Sequence, residues 1–364
     1  MLMLAEMGFS VYLGTEIEKT ECVIRKAEKA GAKYVFTSLN ISEEKEEKDK
    51  KLAHIADICR ERNLNLIVDI NRATKDIIDM KLENIYFRID DGLSKEEILK
   101  ICKLHKIVLN ASTVTSEELE FYKRNGADFS KILSLHNFYP KKFTGISRKY
   151  LREQNMKYKE YGIKTMAFVP GDELRGPIYE GLPTVEEHRD RRFLTSCLDL
   201  ITLHTDIVLI GDIDVCDEKW DEMGYLSRGV IPLRNTDNIL TGEIFYDRQD
   251  SSEYVVRFAV TGIGETRRKF SEYMLKKLEE SGITYEILEK SHEKSKNSIR
   301  KGDILLSNKK YLRYEGEVEI ALQNLGEDKK RYIISKVVKE DIELLDYISI
   351  MKKCIFVKKV KKKS

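Results

Sequence analysis

Only five prolines break the 364 residues, tryptophan occurs once, and no internal repeat or low-complexity tract is visible apart from a lysine-rich tail. A chain of this length has room for one large domain and a smaller one, each with its own core. Neither sign of charge dominates: 64 Lys and Arg face 62 Asp and Glu, although charged residues make up 35% of the chain. Such a balance offers no global field to draw nucleic acid or an anionic membrane, and the basic end, Lys352–Ser364, reads as a solvated tail. No apolar run approaches the roughly 18 residues of a membrane span. Met1–Met7 lacks the basic flank, core length and cleavage site of a secretory signal. The six cysteines, at 22, 59, 102, 197, 216 and 354, show no CxxC and no Cys/His pair at zinc spacing, so they read as free thiols in a reducing cytosol. The expectation is a soluble, cytoplasmic protein with no nucleic-acid or membrane partner and no assigned metal or cofactor.

What is present is alternation. Gly8–Gly14, Tyr34–Leu39, Asn65–Ile70, Ile85–Asp90, Lys106–Ala111, Phe129–Asn137, Lys164–Gly171 and Asp206–Asp212 read as strands. Helical patterns lie between them, near 17–30, 44–62, 74–80, 94–104, 116–124, 146–161 and 184–203. Eight such units predict a closed (β/α)8 barrel. The structural alternative is an open doubly wound sheet, but no strand leads into a GxGxxG turn. Asp217–Arg228 reads as a last partial helix and Ile231–Asp250 as a crossing segment, with the domain boundary placed near residue 240. Beyond it, Tyr254–Val260, Ile283–Leu288, Asp303–Leu306, Tyr311–Tyr314, Glu317–Leu322 and Tyr332–Val338 read as strands and Lys269–Ser281 as a helix. The expected architecture is therefore a barrel domain, 1–240, followed by a small, mostly antiparallel β domain, 241–364.

Three of the five prolines, Pro170, Pro177 and Pro183, fall in Phe168–Arg189, alternating with Gly171, Gly176 and Gly181. A segment of this composition is shaped rather than slack, and long ordered loops in compact domains usually serve binding or catalysis. Thr184 and Glu187 have the spacing of a capping box for the helix that follows. The loop also carries Asp172, Glu173, Arg175, Tyr179 and Glu180.

Strand residues two apart share a face. Ser38 and Asn40 continue the parity of Phe36, Asp69 that of Ile67, Arg88 and Asp90 that of Tyr86, and Asn110 that of Val108. If those residues face the barrel axis, amides, carboxylates and one guanidinium crown the mouth where barrel enzymes carry their sites. His136 and Asn137 are expected to join from strand six and Asp212 from strand eight. Glycoside hydrolysis typically needs two carboxylates, one protonated and one charged. Asp90, Asp91, Asp172 and Glu180 are the candidates, an acid from strand four paired with one from the long loop being the preferred arrangement. As a metal site the same ring would favour Mg²⁺ or Ca²⁺. Arg175, beside Gly176, is the first choice for a phosphate contact, with a loop salt bridge as the alternative. Tyr139 and Tyr179 are placed to stack on a sugar face.

The stretches GFSVYLG at 8–14, FTSLNISEE at 36–44, FRIDDG at 87–92, LNAST at 109–113, LHNFYP at 135–140, AFVPGDELRGPIYEGLPTVEEHR at 167–189 and VLIGD at 208–212 resemble the MupG family of 6-phospho-N-acetylmuramidases. KGDILLSNKKYLRYEGEVEIAL at 301–322 is similar to that family's second domain. The resemblance implies a TIM barrel followed by a cyclophilin-like β domain. It also implies cytoplasmic hydrolysis of the β-1,4 bond in N-acetylmuramic acid 6-phosphate–N-acetylglucosamine during cell-wall recycling. One departure is Lys141-Lys142-Phe143, where the family pattern leads one to expect an Arg/Pro-rich stretch with an acid. Two other classes use the same mouth: a metal-dependent phosphosugar lyase or isomerase, and a non-catalytic sugar-phosphate sensor.

Overall fold

Buried strands flanked by capped helices close the first part of the chain into a barrel. The computed structural model describes residues 5–39, 48–75, 85–237, 239–242, 244–247, 252–260, 267–294 and 298–358. The chain divides into two compact units, Leu4–Ser227 and Arg228–Ser364. In the first, eight parallel strands run in sequence order: β1 (Glu6–Ser10), β2 (Tyr34–Ser38), β3 (Asn65–Ile70), β4 (Ile85–Ile89), β5 (Lys106–Asn110), β6 (Ile132–Leu135), β7 (Lys164–Val169) and β8 (Ile207–Ile210). β1 pairs with both β2 and β8, so no edge remains. Around them lie α1 (Ile17–Lys29), α2 (Lys48–Glu61), α3 (Lys95–Leu104), α4 (Ser116–Arg124), α5 (Arg148–Glu160), α6 (Phe193–Thr202) and α7 (Asp217–Ser227). Ser94 with Glu97 and Thr115 with Glu118 form capping boxes that start α3 and α4, and Ser147 caps α5.

The barrel interior is filled by one parity of each strand, including Phe36, Ile67, Val108, Leu135, Phe168 and Leu209. That parity decides which strand-end side chains reach the mouth. β1 contributes almost no bulk: a Cβ on Gly8 would lie 2.3 Å from Leu209 Cδ2 and 2.7 Å from the Tyr34 carbonyl oxygen. Closing the barrel at this strand requires glycine there.

Two expectations in this unit fail, and two more fall outside the described residues. The helix expected over 184–203 begins only at Phe193, and there is no Thr184–Glu187 capping box. Thr184 is buried and its hydroxyl is engaged elsewhere, accepting from Phe168 N–H and donating to the Asn137 carbonyl. The start of the helix expected at 44 and most of the one near 74–80 lie outside the described residues.

The second unit contains a seven-stranded sheet made from β9 (Ile231–Arg234), β10 (Ile244–Asp247), β11 (Val255–Val260), β13 (Asp303–Ser307), β14 (Val318–Ala321), β16 (Arg331–Lys336) and β17 (Lys353–Val357), in the order β16-β13-β14-β11-β10-β17-β9. Its pairs are antiparallel except β17 with β9. A short antiparallel pair joins β12 (Ser298–Ile299) to β15 (Gly326–Glu327), and α8 (Arg267–Glu280), α9 (Tyr285–Lys294) and α10 (Ile348–Met351) complete the unit. Ile231–Asp250 is not a plain crossing segment, because it supplies β9 and β10. Ile283–Leu288 is not a strand: Thr284 Oγ1 accepts from Ile287 N–H and helps start α9. Tyr311–Tyr314 lies in a 3₁₀ turn capped by Asn308, whose side chain accepts from Lys310 N–H.

Candidate active site

The strand ends build a cavity of about 310 Å³ at the C-terminal mouth of the barrel. Ser38, Asp69, Arg88, Asp90 and Asn137 give it a polar wall. Opposite chemistry comes from Phe36, Phe138 and Phe168, whose rings meet edge to face with centroids 5.2 to 6.2 Å apart. Tyr139 completes the lining. Each polar residue continues the inward parity of its strand, so the barrel backbone itself fixes where these groups point.

Arg88 organises the polar wall. It is 3% exposed, and one terminal nitrogen donates to Asp69 Oδ1 at 2.5 Å and to Asp90 Oδ1 at 3.1 Å. Its other terminal nitrogen donates to Asn137 Oδ1. The two carboxylate oxygens share one donor and so lie within about 5.6 Å of each other. Ser38 Oγ donates to Asp69 Oδ2 at 3.0 Å, and Asn110 Nδ2 donates to Asp90 Oδ1 at 3.1 Å. Asp69 is buried, whereas the Asp90 side chain is 35% exposed on the cavity lip. Burial pushes the Asp69 carboxyl above its ordinary range; Arg88 and Ser38 oppose this, and the Asp90 charge adds to it. The two acids facing one guanidinium thus differ in surroundings, Asp69 enclosed and Asp90 open to the cavity lip.

The remaining expected site residues lie elsewhere. His136 has the outward parity, since Leu135 and Asn137 face in. It is fully buried with Nε2 2.9 Å from Asn155 Oδ1 on α5, and burial lowers its pKa to about 4. Asp212 also has the outward parity, opposite to Leu209. Its carboxylate accepts the N–H groups of Gly171, Arg175 and Leu182 and so shapes the loop after β7. Burial raises its pKa against those three donors. Asp91 turns back to accept Gly92 N–H at 2.7 Å and is exposed.

Asp172 and Glu180 do not line the cavity with Asp90. Asp172 accepts Cys216 N–H and Lys219 Nζ, which together with the Lys219 charge outweigh burial and hold its pKa low. Glu180 pairs with Lys142 at 2.7 Å. Arg175 places its guanidinium 4.5 Å above the Tyr12 ring, and Tyr179 is 63% exposed. Neither lines the cavity. Asn40 lies outside the described residues. The three-phenylalanine wall was missed as a surface because Phe36 and Phe168 read only as barrel core; Phe138, directly after Asn137 at a strand end, was the available signal.

Among the described residues, no three His, Cys, Asp or Glu side chains are gathered to hold a metal ion, and no helix is long and apolar enough to cross a membrane. None of the six cysteines forms a disulfide.

Residues 7–225 match the N-terminal domain of 6-phospho-N-acetylmuramidase, and residues 233–357 match its C-terminal domain. The chain belongs to the 6-phospho-N-acetylmuramidase family. Among solved structures, a conserved Enterococcus faecalis protein of unknown function is 28% identical with a TM-score of 0.73, over 98% of this chain and 97% of that one. An uncharacterised Bacillus cereus protein is 23% identical with a TM-score of 0.71, over 98% and 100% of the two chains. No curated protein matches the sequence. The fold is thus shared with both structures along nearly the whole chain.

Proposed function

We propose that the protein is a glycosidase that hydrolyses the β-1,4 bond of N-acetylmuramic acid 6-phosphate–N-acetylglucosamine, with Asp69 and Asp90 as its working carboxylates. The observation that carries this reading is the pair of acids bridged by one buried guanidinium in a cavity with an aromatic wall, in a chain of this family. A pyranose has an apolar face and a hydroxyl-bearing edge, which suit the phenylalanine and carboxylate sides respectively.

Asp69, whose proton is retained to higher pH, supplies it to the glycosidic oxygen as the bond to the anomeric carbon breaks. Asp90, reachable from solvent at the cavity lip, faces the oxocarbenium-like centre. Arg88 holds the two acids in place. Inverting enzymes separate their carboxyls by roughly 6.5–9.5 Å to admit a water. The shorter spacing here favours retention, with attack by Asp90 or by the substrate's own acetamido oxygen, after which a water that gives its proton back to Asp69 displaces that oxygen and frees the sugar. Arg88, the cation in the cavity lining, is already matched by two carboxylates, so the phosphate is assigned to the rim, with Arg175 as its contact. The accompanying role is cytoplasmic recycling of cell-wall sugars, and the second unit is assigned a cyclophilin-like fold on the family resemblance.

The test is incubation of the phosphorylated disaccharide with wild-type and Asp90→Asn protein, following the product anomer by NMR. Release of N-acetylglucosamine together with N-acetylmuramic acid 6-phosphate formed first as the β anomer, lost in the variant, is expected. No cleavage by wild type, or full activity in Asp90→Asn, overturns the reading. A glycosyl-enzyme adduct seen by mass spectrometry assigns the attack to the protein rather than to the acetamido group.

A further inference from the structure

Asn137, Phe138 and Tyr139 line the cavity from a segment that belongs to no helix or strand. From Asn137 to Ser147 the chain has a turn of its own, closed by Thr144 on the Lys141 carbonyl, and Asn137 N–H is anchored on Ser112 Oγ; most of its other backbone partners lie in another segment. The return of the long loop after β7 provides them: Tyr139 N–H donates to the Pro183 carbonyl at 2.9 Å, and Ile146 N–H to the Thr184 carbonyl at 3.1 Å. The densest contacts come from one ion pair.

Arg189 is 4% exposed at its side chain. Its Nε and one terminal nitrogen hold the Glu186 carboxylate at 2.7 and 2.8 Å. The other terminal nitrogen donates to the carbonyls of Glu180 and Gly181, and the nitrogen shared with Glu186 reaches those of Tyr139 and Lys141. Glu186 in turn accepts Phe143 N–H at 2.9 Å and Gly145 N–H at 2.8 Å. A Cβ on Gly145 would stand 2.7 Å from Glu186 Oε2 and 2.9 Å from its Cα, so only glycine fits beneath the carboxylate. One ion pair thus satisfies six backbone groups on two loops, which needs the planar fork of arginine rather than the single ammonium of lysine.

We infer that Glu186 and Arg189 are positioning residues for the reaction centre, acting through the Asn137–Ser147 segment on Arg88. The relay is short. The segment begins at Asn137, whose Oδ1 accepts from Arg88, and Arg88 holds Asp69 and Asp90. Letting the segment drift moves the guanidinium that sets the two acids, and also the aromatic wall at Phe138. Misplacement by about 1 Å from a remote change can cost a hundredfold in rate. This inference rests on the glycosidase reading for its kinetic consequence, whereas the tether itself is testable without turnover.

The experiment compares Arg189→Gln and Arg189→Lys with wild type and with Arg124→Gln, an exposed arginine on α4. The measurements are kcat, KM, Tm and hydrogen exchange of the Phe143 and Gly145 amides. Arg189→Gln is expected to lower kcat about 10- to 100-fold while KM moves less than about threefold. Arg189→Lys recovers only part of the loss, and Arg124→Gln behaves as wild type. Should Arg189→Gln fail to fold, Gly145→Ala displaces the carboxylate without removing a charge and is expected to show the same kcat loss. A folded Arg189→Gln, or Gly145→Ala, with kcat within about twofold of wild type overturns the inference. If wild type does not cleave the disaccharide, the glycosidase reading fails; unchanged exchange protection of the two amides in Arg189→Gln then refutes the clamp separately.

Discussion

Two parts of the barrel mouth are rich in carboxylates and use them differently. At the ends of β3 and β4, Asp69 and Asp90 converge on Arg88 above an open cavity. Along and beside the loop after β7, Asp172, Glu180, Glu186 and Asp212 each bind backbone N–H groups or a loop cation. The reason is mechanical. A strand end is already fixed by the barrel's ladder, so its side chain is available to face a ligand. A long loop has few regular hydrogen bonds of its own, and its acids satisfy backbone groups that would otherwise be left without partners.

The sharpest test of this contrast is substitution on the strand-end side. Asp69→Asn and Asp90→Asn are each expected to lower kcat/KM by at least about 10³-fold, since both acid/base and charge-stabilising roles are removed at the reacting centre. The Asp69 carboxyl is raised by burial; if its proton is the one transferred, activity falls as pH rises through that raised value. A pH profile of wild type shows this alkaline limb, and comparable activity in either variant collapses the contrast. Arg88→Met comes next and acts on stability. At a pH where Asp69 is ionised, removing the guanidinium leaves it buried without its cation, a loss of about 3–5 kcal/mol for a buried pair. Denaturant unfolding is the measurement, and adding Asp69→Asn is expected to restore much of the loss.

Strand alternation and parity carried most of what the sequence revealed. Eight buried runs with helical spacers are enough for a closed parallel barrel, and the parities of Phe36, Ile67 and Tyr86 point to Ser38, Asp69, Arg88 and Asp90, which line one cavity. The same rule, applied through Leu135 and Leu209, turns His136 and Asp212 outward, so those two errors lay in the reading rather than in the chain. Loop geometry was not legible. Nothing in Phe168–Arg189 shows from sequence that Asp172 reaches Cys216 or that Thr184 bridges Phe168 and Asn137, because such contacts join positions up to 47 residues apart. The segment's prolines and glycines correctly marked it as shaped, yet its acids build a scaffold rather than fill the cavity. In the second unit, Ile283–Leu288 alternates like a strand but also has helical spacing, and a short run cannot separate the two.

The loop side has its own pH signature. Hydrogen bonding from Arg189, reinforced by the N–H groups of Phe143 and Gly145 and only partly opposed by burial, holds Glu186 at about 2. An unfolded glutamate titrates near 4.3. The folded-state value is depressed, so this contribution to stability is complete above roughly pH 5 and is lost as pH falls from there towards about 2. Glu186→Gln is expected to be less stable than wild type at pH 7 by about 1–2 kcal/mol after allowance for solvent at the rim. The difference shrinks below about pH 4 and closes near pH 2. Urea midpoints across that range measure it, and a difference independent of pH would mean that the carboxylate's charge is not what holds the segment.

The smallest expected effects are the most discriminating for the proposed division of labour. Asp172 is 42% exposed at its side chain and binds Lys219 and the backbone N–H of Cys216, just ahead of α7. Glu180 faces Lys142 across the rim, both side chains being more than one-third exposed. Exposed pairs of this kind contribute little because water and salt screen them. Asp172→Asn therefore costs less than about 1 kcal/mol, and both Asp172→Asn and Glu180→Gln are expected to keep kcat within about threefold of wild type. Steady-state kinetics at low and high salt check this, because a screened rim pair gives a small effect that fades with ionic strength. A hundredfold fall in kcat in either variant, with Tm unchanged, would move the chemistry from the strand ends to the loop.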